Sequence, residues 1–173
     1  MSERKFIYTF EDGEAGNRML LGGKGANLCA MTQIGLNVPP GFVITTAACL
    51  AYLENQRLPD GLMDDVRTHI AALERKTGKG FGSATNPLLV SVRSGSAMSM
   101  PGMMDTILNL GLNEASLQGL IRQTGNGRFA YDAYRRFIQL FGKIALGIGD
   151  ELFDERMTAI KRVPDVLASF ARL

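Results

Sequence analysis

An arginine at the end of an apolar run is the first residue of this sequence whose position suggests chemistry. The run Leu88–Val92 predicts a buried strand, and it leads Arg93 into a Ser-, Gly- and Met-rich loop that Pro101 and Gly102 close. An unpaired buried charge is costly, whereas a guanidinium at a strand end can bind phosphate or carboxylate through a rigid fork of donors. The alternative is an ordinary salt bridge to a nearby Asp or Glu.

A second anion-binding pattern lies nearer the start of the chain, where Gly22, Gly23 and Gly25 surround Lys24. Glycines let the backbone approach a ligand closely, and the residues that follow begin a predicted helix. Backbone N–H groups at a helix start favour an anion, and Lys24 adds a positive charge. The spacing is not that of a Walker P-loop. A tight turn into a helix, with no ligand, explains the same pattern.

Composition restricts the class of protein. The 173 residues are 46% hydrophobic and 21% charged, with a formal net charge of +2, as in an ordinary globular chain. Lys and Arg are scattered, so we expect no nucleic-acid partner. No apolar run reaches membrane-spanning length and the N-terminal residues show no charged-then-apolar signal, so we expect no membrane partner and a cytoplasmic location.

The cysteine and histidine residues fit no metal or redox motif. Cys29 and Cys49 are predicted as reduced, buried thiols on apolar helical faces, and their spacing matches no zinc or redox site. His69, the single histidine, is expected at the surface or half-buried, and it offers neither a zinc site nor a Ser/His triad. We therefore predict no metal ligands in this chain.

Strands and helices alternate before residue 113, which favours an α/β fold. Apolar periodicity predicts strands over Phe6–Phe10, Phe42–Thr45, Leu88–Val92 and Thr106–Leu112, and helices over Ala26–Ile34 (burying Leu28, Met31 and Ile34), from a Thr45 or Thr46 cap through Leu53, and from near Pro59 to Lys76. The residues between Gly78 and Pro87 are predicted to form a loop.

From Asn113 onward the pattern is helical. Asn113 is predicted to cap a helix to Gln123, Arg128–Ile148 forms the longest helix, and Asp150 caps the last. The apolar stripe of the long helix is predicted as core rather than as a cofactor site; it consists of Ala130, Tyr134, Phe137, Phe141, Ile144 and Ile148. We therefore predict an α/β lobe over residues 1–112 and an all-helical lobe over residues 113–173.

Four stretches of this sequence together resemble the N-terminal region of the pyruvate, phosphate dikinase family. They are LLGGKGANLCAM (Leu20–Met31), VPPGFVITTAAC (Val38–Cys49), NPLLVSVRSG continuing to SMPGMMDTILNLGLN (Asn86–Asn113), and FAYDAYRRFIQLFG (Phe129–Gly142). They follow the order and spacing of the family through nearly the whole chain. Phosphoenolpyruvate synthases share the GGK turn and the VPPGF strand, but their arginine loop resembles VRSSATAEDLP, so SMPGMMDT favours the dikinases.

The resemblance implies an α/β lobe of ATP-grasp type and phosphoryl-transfer chemistry. In this family ATP and inorganic phosphate become AMP and pyrophosphate, and the phosphoryl group passes through a histidine on a swivelling domain to pyruvate in a barrel. By resemblance, Lys24 and Arg93 are the catalytic cations that hold the nucleotide phosphates. The full nucleotide-binding set that the resemblance implies is Gly22, Gly23, Lys24, Gly25, Arg93, Ser94, Gly95, Asp105 and Thr106.

ATP and Mg²⁺ are the cofactors that the resemblance implies, with the Mg²⁺ ligands in a part of the family that follows this segment. The implied partners are ATP, inorganic phosphate and the remaining domains of a full-length protein that is expected to be a homo-oligomer. Because the phosphohistidine segment and the barrel lie beyond Leu173, we expect an N-terminal part that is inactive alone. The alternatives are part of a phosphoenolpyruvate synthase-like enzyme and a free-standing, non-catalytic nucleotide- or phosphate-binding module.

The loop after the arginine carries two further expectations. Ser96 occupies a position where the resemblance leads us to expect Ala, a small change that leaves the predicted site in place. The segment Gly95–Thr106 is predicted to be mobile without nucleotide, with its four methionines adapting to what they cover; these are Met98, Met100, Met103 and Met104. The alternative is that the methionines are core residues.

Overall fold

The fold mixes helices with small sheets. The computed structural model describes residues 5–95 and 106–161. In chain order the elements of these residues are β1 (Ile7–Thr9), α1 (Arg18–Gln33), β2 (Phe42–Ile44), α2 (Thr46–Asn55), α3 (Leu62–Thr77), β3 (Gly80–Phe81), β4 (Pro87–Leu88), β5 (Val90–Arg93), β6 (Thr106–Leu110), α4 (Glu114–Thr124), α5 (Gly127–Leu146) and α6 (Asp150–Lys161). This composition agrees with the predicted α/β class, while the ATP-grasp type stays a prediction. None of these six helices is both long enough and apolar enough to cross a membrane.

The strands form three two-stranded sheets. β1 and β2 are antiparallel, with Tyr8 opposite Val43, and β3 and β4 are parallel. β5 and β6 are antiparallel, with Arg93 opposite Thr106, and their register shifts between Val90 and Val92. The strands predicted at residues 6–10, 42–45 and 106–112 are therefore confirmed within a few residues, whereas the predicted loop after Gly78 contains the short strand β3.

The chain divides into two compact units. The first contains β1, α1, β2, α2 and α3 together with residues 94–95, and the second contains β3 to β6 and α4 to α6. In the second unit the hairpin strand β6 packs against α5. The lobe boundary expected at Leu112 stays a prediction.

The core of the first unit lies between α1 and the sheet formed by β1 and β2. Phe10, Leu21, Ala26 and Cys29 form one buried cluster, and Val43 of β2 packs against it. A second buried cluster consists of Ile7, Ala48 and Leu62, and it joins β1 to α2 and α3. The β1–β2 sheet therefore lies between α1 on one side and the later helices of this unit on the other.

The second unit is built around α4 and α5. Its core contains the buried side chains Leu112, Leu117, Leu120, Ala130 and Ala133, with Leu89, Ile121, Tyr134 and Phe137 packed against them. Of the predicted stripe, Ala130, Tyr134 and Phe137 are thus confirmed as core, whereas Phe141, Ile144 and Ile148 are half-buried outside this cluster. Asn113 caps α4 through a reciprocal capping box with Ser116, which is fully buried.

Helix α1 begins earlier than predicted. It starts at Arg18 rather than at Ala26, and it is interrupted at Gly22. The prediction treated the glycine-rich stretch as a turn before the helix, but helical residues lie on both sides of it. Ile34 was expected inside and is 75% exposed, because it is the C-cap residue and lies past the end of the buried face of the helix.

Two further burial predictions are wrong. The strand Leu88–Val92 was expected to be wholly buried, but only its first part is: Leu88 is buried, whereas Val92 in β5 is 47% exposed. A two-stranded sheet cannot cover both of its faces, and α5 packs on β6 rather than β5. Cys49 is exposed because α2 buries only the face that carries Ala48.

We predict that Gly25→Ala destabilises the protein by about 1–3 kcal/mol, because a Cβ at Gly25 would lie 2.9 Å from Cγ1 of Val43. The backbone of Gly25 does not have a positive φ, so the effect isolates packing. Urea unfolding measures the loss, and Val43→Ala should reduce it in a double-mutant cycle. Gly127→Ala is the matched control, since nothing lies within 4 Å of a Cβ there. Equal losses at Gly25 with and without Val43 would contradict the packing argument.

We predict a small pH-dependent contribution from the ion pair between Glu11 and Lys76, which joins the turn after β1 to the last turn of α3. The hydrogen bond from the Lys76 ammonium lowers the pKa of Glu11, so the contribution is present above the unfolded-state pKa of about 4.3 and is lost as the pH falls through the folded-state value.

The test compares Glu11→Gln with wild type by urea unfolding. At pH 7 the variant should be less stable by no more than about 1 kcal/mol, because both partners are largely exposed. At pH 3 the difference should disappear. Glu54→Gln, at an exposed position of α2, controls for the loss of one negative charge. A difference that is equal at both pH values would contradict the assignment.

Candidate phosphate-binding turn

The interruption of α1 is a backbone feature that requires glycine. Gly22 has φ 68° and ψ 166°, a region that essentially only glycine adopts. Residues Arg18–Leu21 form a short helical piece before it, and the helix restarts at Gly23. Gly23, Lys24 and Gly25 are therefore in the first turn of the second piece. The N–H groups of a first helical turn lack partners within the helix and attract anions.

The other glycines of this turn serve different purposes. Gly25 is buried, and its missing side chain allows α1 to approach Val43 of β2. Gly23 is half-buried beside Lys24. The predicted close approach of a ligand thus concerns Gly23 above all, because Gly22 and Gly25 are both buried.

The short first piece is held at both ends by side chains. At its start Asn17 caps the helix by accepting a hydrogen bond from the N–H of Leu20 at 3.1 Å. At its end the Thr46 hydroxyl donates to the carbonyl oxygen of Met19 at 2.5 Å. Thr46 was expected only as a possible cap of α2, and the observed cap is Thr45. No pattern in the sequence indicates the contact with Met19, which is 27 residues away.

The turn at Gly22–Gly25 (the Gly turn) and Ser94 and Gly95, which start the loop after Arg93, belong to the first unit. A Cβ placed on Gly95 would be 4.0 Å from the Cα of Gly22, so the backbone of Gly95 lies near that of Gly22. Ser94 precedes Gly95 and is exposed. Lys24 is half-buried, and no carboxylate in residues 5–95 and 106–161 forms an ion pair with it.

Arg93 ends β5 in the second unit. It is exposed, its partner in the ladder is the half-buried Thr106, and no described carboxylate forms a salt bridge with it. Since Lys24 belongs to the first unit, the shared phosphate site of the two cations stays a prediction. Asp105 and the methionine-rich segment 96–105 lie outside the described residues.

Titratable groups elsewhere form no competing centre. Within the described ranges, no group of three or more His, Cys, Asp or Glu residues could hold a metal ion. His69 is half-buried and its ring packs on Phe42, with 5.3 Å between centroids, as expected for a structural residue. Burial raises the pKa of the Cys29 thiol, which keeps it protonated and unreactive.

A cavity of about 250 Å³ between α5 and α6 lacks the character of a reaction site. It is open and mainly apolar, with Tyr131, Ile138, Phe153 and Met157 in its wall. Arg135 also lines it, but this guanidinium is engaged by Asp132 and Gln139. The cleft therefore offers no convergent set of polar groups for a phosphate.

The sequence that forms this turn matches the model of a known domain. The model of the pyruvate phosphate dikinase AMP/ATP-binding domain matches residues 18–64, which include the whole of α1, β2 and α2. The match thus begins at the first residue of the interrupted helix and includes Thr46.

Similarity to whole proteins extends further along the chain. The chain is 59% identical over 152 residues to pyruvate, phosphate dikinase of Entamoeba histolytica, which covers 87% of the chain and 17% of that protein. It is 56% identical over 144 residues to the Giardia intestinalis protein of that name, covering 83% of the chain and 16% of the relative. A relative named as chloroplastic, from Flaveria trinervia, is 49% identical over 163 residues, covering 91% of the chain and 17% of the relative.

One of these relatives is named as chloroplastic and the names of the other two state no compartment, so the cytoplasmic location stays a prediction. The chain spans about 17% of the length of the curated relatives that it matches. The residues that match the domain model, 18–64, include Gly22–Gly25. The chain belongs to the pyruvate, phosphate dikinase family.

Proposed function

We propose that the turn at Gly22–Gly25 binds the phosphates of ATP, and that Arg93, Ser94, Gly95, Asp105 and Thr106 belong to the same nucleotide-binding site. The observation that carries this proposal is the glycine-specific break at Gly22, which begins a helix at Gly23 and Lys24 beside the backbone of Gly95. A helix start supplies N–H donors and a partial positive charge, and Lys24 adds a full charge. The AMP/ATP-binding name of the matching domain supports a nucleotide as the ligand.

We propose further that a protein that contains this chain transfers a phosphoryl group as a pyruvate, phosphate dikinase, which is the name of its relatives. ATP and inorganic phosphate would give AMP and pyrophosphate, and a histidine in another domain would pass the phosphoryl group to pyruvate, yielding phosphoenolpyruvate. The role of this chain is to hold the nucleotide. Phosphoryl transfer depends on positioning and on neutralising charge, which are tasks that Lys24 and Arg93 can perform.

Magnesium has no described ligands here. Mg²⁺ binds carboxylates and phosphate oxygens, and the described residues bring no three acidic, His or Cys side chains together. We therefore assign no step of the reaction to a metal bound by this chain. The proposed contribution of the chain is limited to ligands for the nucleotide phosphates and to the geometry of the turn that carries them.

We predict that Lys24→Ala and Arg93→Ala each weaken ATP binding by the isolated chain about two- to fivefold, because each removes a charge-assisted hydrogen bond that solvent screening reduces to roughly 0.5–1 kcal/mol. NMR titration of the chain with ATP measures the dissociation constant and shows whether the amides of Gly23 and Gly25 respond. Lys79→Ala and Arg128→Ala are the matched controls, as both residues are exposed and each change removes one positive charge.

Two results would count against the proposed site. One is ATP binding that is equally weakened by the control variants, which would indicate a nonspecific charge effect. The other is ATP-dependent shifts that are absent from Gly22–Gly25. An effect of Lys24→Ala without an effect of Arg93→Ala would retain the Gly turn and remove the arginine from the site.

We predict that the 173-residue chain alone does not convert ATP to AMP. With only part of a cleft, its phosphate contacts remain solvated and screened, and we expect a dissociation constant in the millimolar range or weaker, about −4 kcal/mol. An assay for AMP with pyruvate, phosphate and Mg²⁺ present tests this, and the Lys24→Ala variant reveals any contaminating activity. AMP formation that Lys24→Ala abolishes would show that the chain is catalytically sufficient.

A further inference from the structure

The helical piece that leads into Gly22 is held at its end by a hydroxyl from another helix. Thr46 Oγ1 donates to the carbonyl oxygen of Met19 and lies 3.3 Å from the carbonyl oxygen of Leu20. Thr46 is the first residue of α2, whereas Met19 and Leu20 belong to the short piece of α1 before the break. The first piece of α1 is therefore tied to α2 one turn before Gly22.

These carbonyls need an external donor because the helix stops after them. The last four carbonyl groups of a helix have no partner within it, and the first piece contains only Arg18–Leu21. The backbone at Gly22, with φ 68°, cannot continue the ladder of hydrogen bonds. The Thr46 hydroxyl thus takes the place of an N–H group that an uninterrupted helix would have supplied.

The hydroxyl is not needed for its own helix. The cap of α2 is the neighbouring Thr45, which is 1% exposed and accepts a hydrogen bond from the N–H of Ala48. Thr46 is half-buried, and both carbonyl groups that its hydroxyl contacts lie in α1. The two adjacent threonines therefore have separate roles, since Thr45 begins α2 and Thr46 holds α1.

We infer that Thr46 is a positioning residue for the phosphate-binding turn, acting through Met19 and Leu20 on the break at Gly22. This inference rests on the proposed function, because the ligand of the turn is itself proposed. Thr46 holds the end of the first piece, and thereby it fixes the direction in which the second piece presents the N–H groups of Gly23 and Lys24. It affects nucleotide affinity without being a phosphate ligand.

The test replaces Thr46 with Val, which has almost the same shape but no hydroxyl, and with Ser, which keeps the hydroxyl. Thr32→Val is the matched control because Thr32 Oγ1 donates to the carbonyl oxygen of Leu28 at 2.9 Å, later in the same helix. Two quantities are measured on the 173-residue chain. They are the NMR order parameters of the Gly22–Gly25 amides without ligand and the dissociation constant of ATP by titration.

We expect Thr46→Val to lower these order parameters from about 0.85 towards 0.6 and to weaken ATP binding about three- to tenfold, the effect of losing one hydrogen bond. Thr46→Ser and Thr32→Val should stay within about twofold of wild type. Unchanged order parameters in Thr46→Val would overturn the inference, because the hydroxyl would not be holding the turn. Lowered order parameters with unchanged affinity would overturn it too, leaving a purely structural contact.

The same measurements separate failure of the inference from failure of the proposed function. If wild type binds ATP and Lys24→Ala weakens that binding while Thr46→Val does not, only the role of Thr46 is refuted. If wild type shows no ATP-dependent shifts at Gly22–Gly25, the proposed function is refuted, and a role for Thr46 in nucleotide binding is refuted with it.

Discussion

The interruption of α1 at Gly22 is the constraint on which the first unit depends. A residue with a Cβ would adopt this backbone conformation only at a cost of about 1–3 kcal/mol, so the break is specified by sequence. It creates a helix start in the middle of an otherwise continuous element, between the buried side chains of Leu21 and Ala26. Because burial fixes both neighbours, the N–H groups of the new first turn have a defined direction, which is what an anion-binding turn requires.

The strand β2 and the residues after it form the support of this turn. Val43 packs against Gly25 from one side, and Thr46, three residues later, donates to the carbonyl of Met19. The two motifs LLGGKG and FVITT thus meet in space, and both lie within the matched residues 18–64. Pairing of β2 with β1 fixes the position of Val43, so the register of these two strands determines where Val43 packs against the turn.

Features that depend on local sequence could be predicted, and features that depend on tertiary neighbours could not. The Asn113 cap and the aromatic stripe of α5 follow from capping preference and helical periodicity. The exposure of Val92 and Cys49 depends on which face a distant element covers. For the candidate site, the sequence predicted a helix start beside the glycines, and the anion-binding character of Gly22–Gly25 stays a prediction; the sequence could not predict that the helix precedes the glycines or that Thr46 contacts it.

The ion pairing of the two candidate cations, Lys24 and Arg93, also bears on the candidate site. The described ion pairs hold carboxylates against Arg57, Arg67, Lys76, Arg135, Arg136 and Lys143, and none of them includes Lys24 or Arg93. A half-buried lysine at a helix start stands at the positive end of the dipole, where a cation is disfavoured and an anion is stabilised. Lys24 therefore contributes to stability only weakly in the free chain, and a bound phosphate would reverse the sign of its local electrostatics. A cation retained at such a position is better explained by a ligand than by the fold, because replacing it with a neutral residue would relieve the repulsion from the first-turn N–H groups.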